Sequence, residues 1–123
     1  MIDHLHYLRE ARVLILNLLN EEIVDIELNE SLSQLKVFLD SGETIFIRYN
    51  QFGEYGYQII HSRNKGDFSR FDNYDDKWDV NTRPHHFHIR GGDKVKLSPM
   101  NGTPGHDISI LVEYLKNSSD QTK

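Results

Sequence analysis

The segment Arg83-Pro84-His85-His86-Phe87-His88 holds three of the seven histidines of this chain within four positions. On an extended chain, residues two apart face the same side. His86 and His88 are therefore expected to point together, with His85 opposite. Pro84 fixes its own φ and biases Arg83 toward extended geometry, so the segment is presented stiffly. Two chemistries suit such a group. Neutral imidazoles of a His-x-His pair on a strand can converge on one divalent ion. His86 and His88 would then be ligands, and Asp72, Asp79, His61 and His106 are candidates to complete the set. The second chemistry is metal-free phosphodiester cleavage. One imidazole takes a proton from a ribose 2′-hydroxyl and another donates one to the leaving oxygen. An arginine steadies the charge that develops on the phosphate, and Arg70, Arg83 and Arg90 are available.

A plainer role competes with both. A single loop histidine commonly caps backbone or packs on aromatics, here Trp78 and Phe87. A cluster of three behind a proline favours function. Asp72-Asn73 reads as an Asx-type turn; close to the histidines, Asp72 would instead orient an imidazole. Tyr49, Tyr55 and Tyr57 could offer a base-stacking face, although aromatic pairs across strands are the commoner use. Gly91-Gly92 is a hairpin turn rather than a phosphate loop. His4 and His6 read as surface residues, and His106 as the start of a helix.

These side chains need a frame. Residues 3–19 read as a helix, with Leu5, Leu8, Arg12, Ile15 and Leu19 at spacings of three and four. Asp3 suits its N-cap. From residue 22 to residue 72 the period changes to two. Val24, Ile26 and Leu28, then Leu35, Val37 and Leu39, then Ile45, Ile47 and Tyr49, then Tyr55, Tyr57 and Ile59 mark successive strands that bury one face. Turns at residues 40–43, 51–54 and 63–67 imply a meander, which residues 68–72 continue. Residues 73–84 form a polar loop. Residues 85–90 can be extended, and residues 94–97 form a short strand. Residues 98–105 are irregular, with two prolines and two glycines. Residues 106–116 form a second helix with Ile108, Leu111, Val112 and Leu115 as its apolar stripe and Asp107 at the positive end of its dipole. Residues 117–123 read as a polar tail that frays. The expected class is α+β: an N-terminal helix, an antiparallel meander of about five strands, and a C-terminal helix packed on one face.

A length of 123 residues fits one domain, residues 1–123 with its core over about 3–116. Hydrophobic residues at 37% and charged residues at 27% fit a folded soluble chain. A formal net charge of −5 argues against broad affinity for nucleic acid or anionic membranes, though not against a local basic site. The chain has no cysteine, which excludes a disulfide scaffold, a thiolate nucleophile and a Cys-ligated zinc. Its longest purely apolar run, Val13-Leu14-Ile15-Leu16, falls far short of the ~20 residues that span a bilayer. No secretory signal is read at the N-terminus, and a cytoplasmic location is expected.

The order of motifs resembles a known family. An N-terminal helix is followed by a meander with Tyr55-Gly56-Tyr57-Gln58, then by Arg70-Phe71-Asp72-Asn73, then by Arg83-Pro84-His85-His86-Phe87-His88 and a C-terminal helix. This is similar to the TumE-like toxins of type II toxin–antitoxin systems, which carry a Tyr-x-Tyr strand, an Arg-aromatic-Asp-Asn step and a Pro-His-His-x-His segment in that order. The likeness covers about residues 3–116. One stretch departs from it. Members often continue Asp-Asn with Ala-Pro-His-His, where this chain has Tyr74-Asp75-Asp76-Lys77. A second histidine pair therefore does not carry over. The resemblance implies growth inhibition and an antitoxin partner of the helix-turn-helix type.

Three functional readings follow. In the first, the chain is a toxin that cleaves or binds RNA, with His85, His86 and His88 as acid, base or phosphate ligands, Arg70 and Arg83 on the phosphate, and Asp72 orienting a histidine. In the second, it is a non-catalytic module in which the His-x-His pair holds a divalent metal. In the third, it is a protein-interaction component with no chemistry. A free β edge would also permit a homodimer.

Overall fold

The computed structural model describes residues 3–121. The chain opens with helix α1 (His4–Leu18). The Asp3 side chain accepts a hydrogen bond from the His6 N–H at 3.1 Å, the N-cap expected there. The buried stripe of α1 is Leu8, Ala11 and Ile15, extended by Leu19. Arg12 is exposed instead, because Ala11 is the residue that faces the sheet.

Seven strands follow: β1 (Ile23–Asn29), β2 (Gln34–Leu39), β3 (Thr44–Tyr49), β4 (Tyr55–Ile60), β5 (Phe68–Asp72), β6 (His86–His88) and β7 (Val95–Leu97). They form one sheet in sequence order, each antiparallel to the next. The expected meander is therefore present, with two more strands than the five anticipated. The added pair are the three-residue strands β6 and β7, which fall in the stretches 85–90 and 94–97 read as extended. The hairpin turn at Gly42 has φ +94°, a region glycine enters without strain.

Helix α2 (Pro104–Gln121) closes the fold. It begins two residues earlier than the sequence suggested, since proline is tolerated in a first turn whose N–H groups have no helical partner. It also runs past Lys116 to Gln121; residues 122–123 lie outside the described residues.

Strand alternation sorts the side chains into two faces. Leu35, Val37, Ile45, Ile47, Tyr55, Tyr57, Ile59, Phe71 and Phe87 are buried against the helices with Leu8, Ile15, Ile108 and Leu111. Each fully buried aliphatic side chain there stabilises the fold by about 1.5–3 kcal/mol. The opposite face carries Lys36, Phe46, Arg48, Gln58, Arg70, Asp72, His86 and His88 and is not covered by a helix.

Two turns at one end of the sheet are clipped together. The Arg90 guanidinium donates to both carboxylate oxygens of Asp67, at 2.7 and 3.1 Å. Arg90 first, and then the Ser62 hydroxyl, hold the Asp67 carboxyl down at about 2, against about 3.9 for a free aspartate. Because the folded value is depressed, the clip stabilises the fold above about pH 4 and loses its contribution as pH falls toward 2. Asp67→Asn should thus be less stable than wild type near neutrality, with the gap closing in acid. Denaturant titrations at both pH values measure this.

Candidate active site

The site is built by register. In the antiparallel pair β5·β6, Asp72 lies opposite His86 and Arg70 opposite His88. Directly opposed residues share a face and approach closely. The result is a buried carboxylate flanked by two imidazoles and a guanidinium. His86 Nε2 lies 2.8 Å from Asp72 Oδ1, and His88 Nε2 lies 3.7 Å from Oδ2. Arg70 Nε is 2.8 Å from Oδ2. The Arg70 N–H is not aimed along that contact, so this is an ion pair that leaves a hydrogen-bond donor unspent. The Asp72 side chain is only 3% exposed.

A backbone carbonyl fixes the His86 imidazole from behind. His86 Nδ1 donates to the Pro84 carbonyl at 2.8 Å; since a carbonyl only accepts, the ring must carry hydrogen at Nδ1. Trp78 covers both rings, with centroids at 5.7 Å from His86 and 5.4 Å from His88. Burial pushes the His88 pKa below its ordinary value, and the Arg70 charge lowers it further. His88 is therefore neutral at pH 7, with a lone pair available at one ring nitrogen.

These groups form one end of an open groove of about 750 Å³. Its floor can be read from the strand register. Phe46, Gln58, Arg70 and His88 lie opposite one another in turn, making one row across β3 to β6; Lys36 and Glu27 continue the row on β2 and β1, outside the groove. Arg48, Gly56, Asp72 and His86 make the adjacent row. Gly56 has no side chain to fill the space beside Asp72, and Tyr74 packs there. Lys77 and Trp78 wall the groove.

The structure brings together Arg70, Asp72, His86 and His88, and places the other candidates elsewhere. His85 turns to the opposite side, as strand alternation requires. Its Nδ1 is 2.9 Å from the Tyr55 hydroxyl, and its ring stacks on Tyr55. Arg83 is exposed and pairs with Asp76, whose side chain it meets at 2.8 Å, so it does not line the groove. The grouping of His85 and Arg83 with the other four is corrected accordingly: adjacency along the chain did not survive the turn of the loop. Asp79 is exposed and apart. His106 pairs with Asp107. His61 sits between Glu43 and Ser69, at 2.8 Å from each, and Ser69 is 2.7 Å from the Tyr114 hydroxyl. That acid–imidazole–serine order resembles a nucleophile relay, but Ser69 is fully buried and no substrate reaches it. Among the described residues, the ligand-type group close enough to share an ion is Asp72, His86 and His88.

Asp72 both makes a turn and faces the histidines. Asp72 Oδ1 accepts from the Tyr74 N–H at 3.2 Å, the Asx turn, while the same carboxylate faces the histidines. Asn73 ties down a neighbouring loop, accepting from the Tyr55 N–H and donating to the Gly53 carbonyl. The three tyrosines are buried and cannot stack on bases. Their packing is aromatic pairing across strands, with Tyr49 and Tyr57 hydroxyls 3.0 Å apart. The aromatic groups at the groove are Phe46, Tyr74 and Trp78. Phe46 was within reach of sequence reasoning, because it occupies an alternate position on the wet side of a strand.

A model of the family described as Toxin TumE matches residues 4–117. The chain belongs to the TumE toxin family. Curated proteins and solved structures give no significant match. TumE membership places the chain among toxins of toxin–antitoxin systems and implies an antitoxin partner. No described helix is long and apolar enough to cross a membrane.

Proposed function

We propose that this toxin inhibits growth by cleaving RNA in the open-face groove. The observation that carries the reading is the convergence of Arg70, Asp72, His86 and His88 at the end of a row of groups suited to a nucleotide chain. Arg70 and, in the adjacent row, Arg48 line the groove as cations for phosphates, Phe46 lines it as an aromatic surface with the Lys36 ammonium 5.3 Å from its ring centroid, and Gln58 offers donors and an acceptor to base edges. From β3 to β6 the row spans about 14 Å at about 4.8 Å per strand. Arg70, whose side chain is 37% exposed at the groove, holds the phosphate next to the reacting bond, and Asp72, His86 and His88 form the reacting centre.

The net charge of −5 is unevenly spread over this face, although Asp75 lines the groove near the centre. Asp25 and Glu27 lie on edge strand β1, at the far end of the face from the centre, whereas Lys36, Arg48 and Arg70 follow from β2 onward. The resemblance to TumE-like toxins supports an antitoxin of the helix-turn-helix type, and RNA as target supports action in the cytoplasm. A docking module without chemistry has no use for a buried carboxylate held between two imidazoles in an open groove.

The test is incubation of purified protein with single-stranded RNA across a panel of divalent ions and in chelator. Wild type should cleave, and Asp72→Asn should not. Intact RNA under every condition, or equal cleavage by both proteins, defeats the proposal.

A further inference from the structure

We infer that Asp72, His86 and His88 form a binding site for a divalent transition metal at the end of the groove. The inference deepens the nuclease reading for its biological meaning but is tested apart from it. Three observations support it.

The first is geometric. The Asp72 oxygens lie 2.8 and 3.7 Å from the two Nε2 atoms, and the three ligand atoms fit within 4.8 Å of one another. Neighbouring ligands with metal bonds of about 2.1 Å stand roughly 3.0–3.4 Å apart, so the two distances bracket the value a metal imposes.

The second is the state of the rings. Nδ1 of His86 gives its hydrogen to the Pro84 carbonyl, so in the neutral ring Nε2 presents a lone pair to a carboxylate oxygen 2.8 Å away. Two acceptors at that distance need a cation between them, either a proton or a metal. Anchoring a histidine through its other ring nitrogen is the usual support of a metal ligand.

The third is access and donor type. The three side chains are 2%, 3% and 8% exposed, yet they line an open groove. Two imidazoles and one carboxylate suit zinc, manganese, iron, cobalt or nickel, and leave coordination positions for water or a phosphate oxygen. Arg70 contacts only one side of a carboxylate that has about four lone-pair sites. The departure Tyr74-Asp75-Asp76-Lys77 takes nothing from this set, because its members come from β5 and β6 alone.

The experiment uses the full chain without a histidine tag. The protein is loaded with Zn²⁺ or Co²⁺, dialysed, and analysed for metal by elemental analysis, by visible absorption of the Co²⁺ form, and by titration calorimetry. One equivalent bound by wild type is expected, with affinity about 10–100-fold weaker in His88→Gln and in Asp72→Asn. Circular dichroism of each variant establishes that it is folded. Absence of stoichiometric binding by wild type, or binding unchanged in both folded variants, overturns the inference. Chelator-resistant RNA cleavage by a protein that takes up no metal overturns the metal site and leaves the nuclease reading standing. Stoichiometric uptake lost in the variants, with RNA intact throughout, upholds the metal site and removes the nuclease reading.

Discussion

His88→Ala should lower RNA cleavage by at least about 100-fold, while His85→Ala leaves it close to wild type. The two residues sit three apart in one histidine-rich segment, and their contacts divide them. His88 lines the groove, faces Asp72 and Arg70, and is held neutral by burial and by the Arg70 charge. A neutral ring can accept a proton or a metal ion, so either route to cleavage needs it. His85 stacks on Tyr55 on the other side of the strand and meets no groove residue except through the backbone. Its loss should appear as reduced stability. The measurement is a pair of cleavage time courses with melting curves for both variants. Growth inhibition on expression should follow the same order. Loss of cleavage in His85→Ala with retention in His88→Ala would show that the wrong face of the segment has been assigned.

That division shows what the sequence carries and where it stops. The period of two was enough to set His86 and His88 on one side and His85 on the other, since strand alternation is local. Buried and wet faces of β2, β3 and β4 were legible for the same reason. The pairing of Asp72 with His86 was not, because it depends on a thirteen-residue excursion between β5 and β6 returning in one register. Only the family resemblance linked those two motifs in advance. Arg83 misled for a complementary reason. It adjoins the histidines in sequence, but the loop that leads into β6 turns it to Asp76. The groove floor was invisible as a row, because its members come from four strands and meet only once all the registers are fixed.

Asp107→Ala should destabilise the fold by about 3–5 kcal/mol, the largest loss expected from any single polar substitution here. The sequence suggested a helix-dipole role for Asp107, which by itself is worth about 0.3–1 kcal/mol. The structure makes it a buried junction. The side chain is fully buried and accepts from the Tyr57 hydroxyl at 2.7 Å and from the N–H groups of Asn101 and Gly102 at 3.0 and 2.8 Å. His106 adds a contact from the solvent side. Burial holds Tyr57 protonated, so its hydroxyl remains a donor at ordinary pH. Truncating the carboxylate leaves these donors facing a cavity, and each unsatisfied buried donor costs about 1–3 kcal/mol. Domains of this size are stable by only about 5–15 kcal/mol, so the variant should melt well below wild type. The groove lies on the opposite face of the sheet, so metal uptake and RNA cleavage should persist below the melting temperature. Asp107→Asn should lose less, because its amide keeps one oxygen for part of the same set. Urea titrations with an unchanged m-value measure both costs. A loss under about 1 kcal/mol for the alanine variant would mean that the apolar packing of α2 on the sheet, and not this carboxylate, holds residues 98–103 in place.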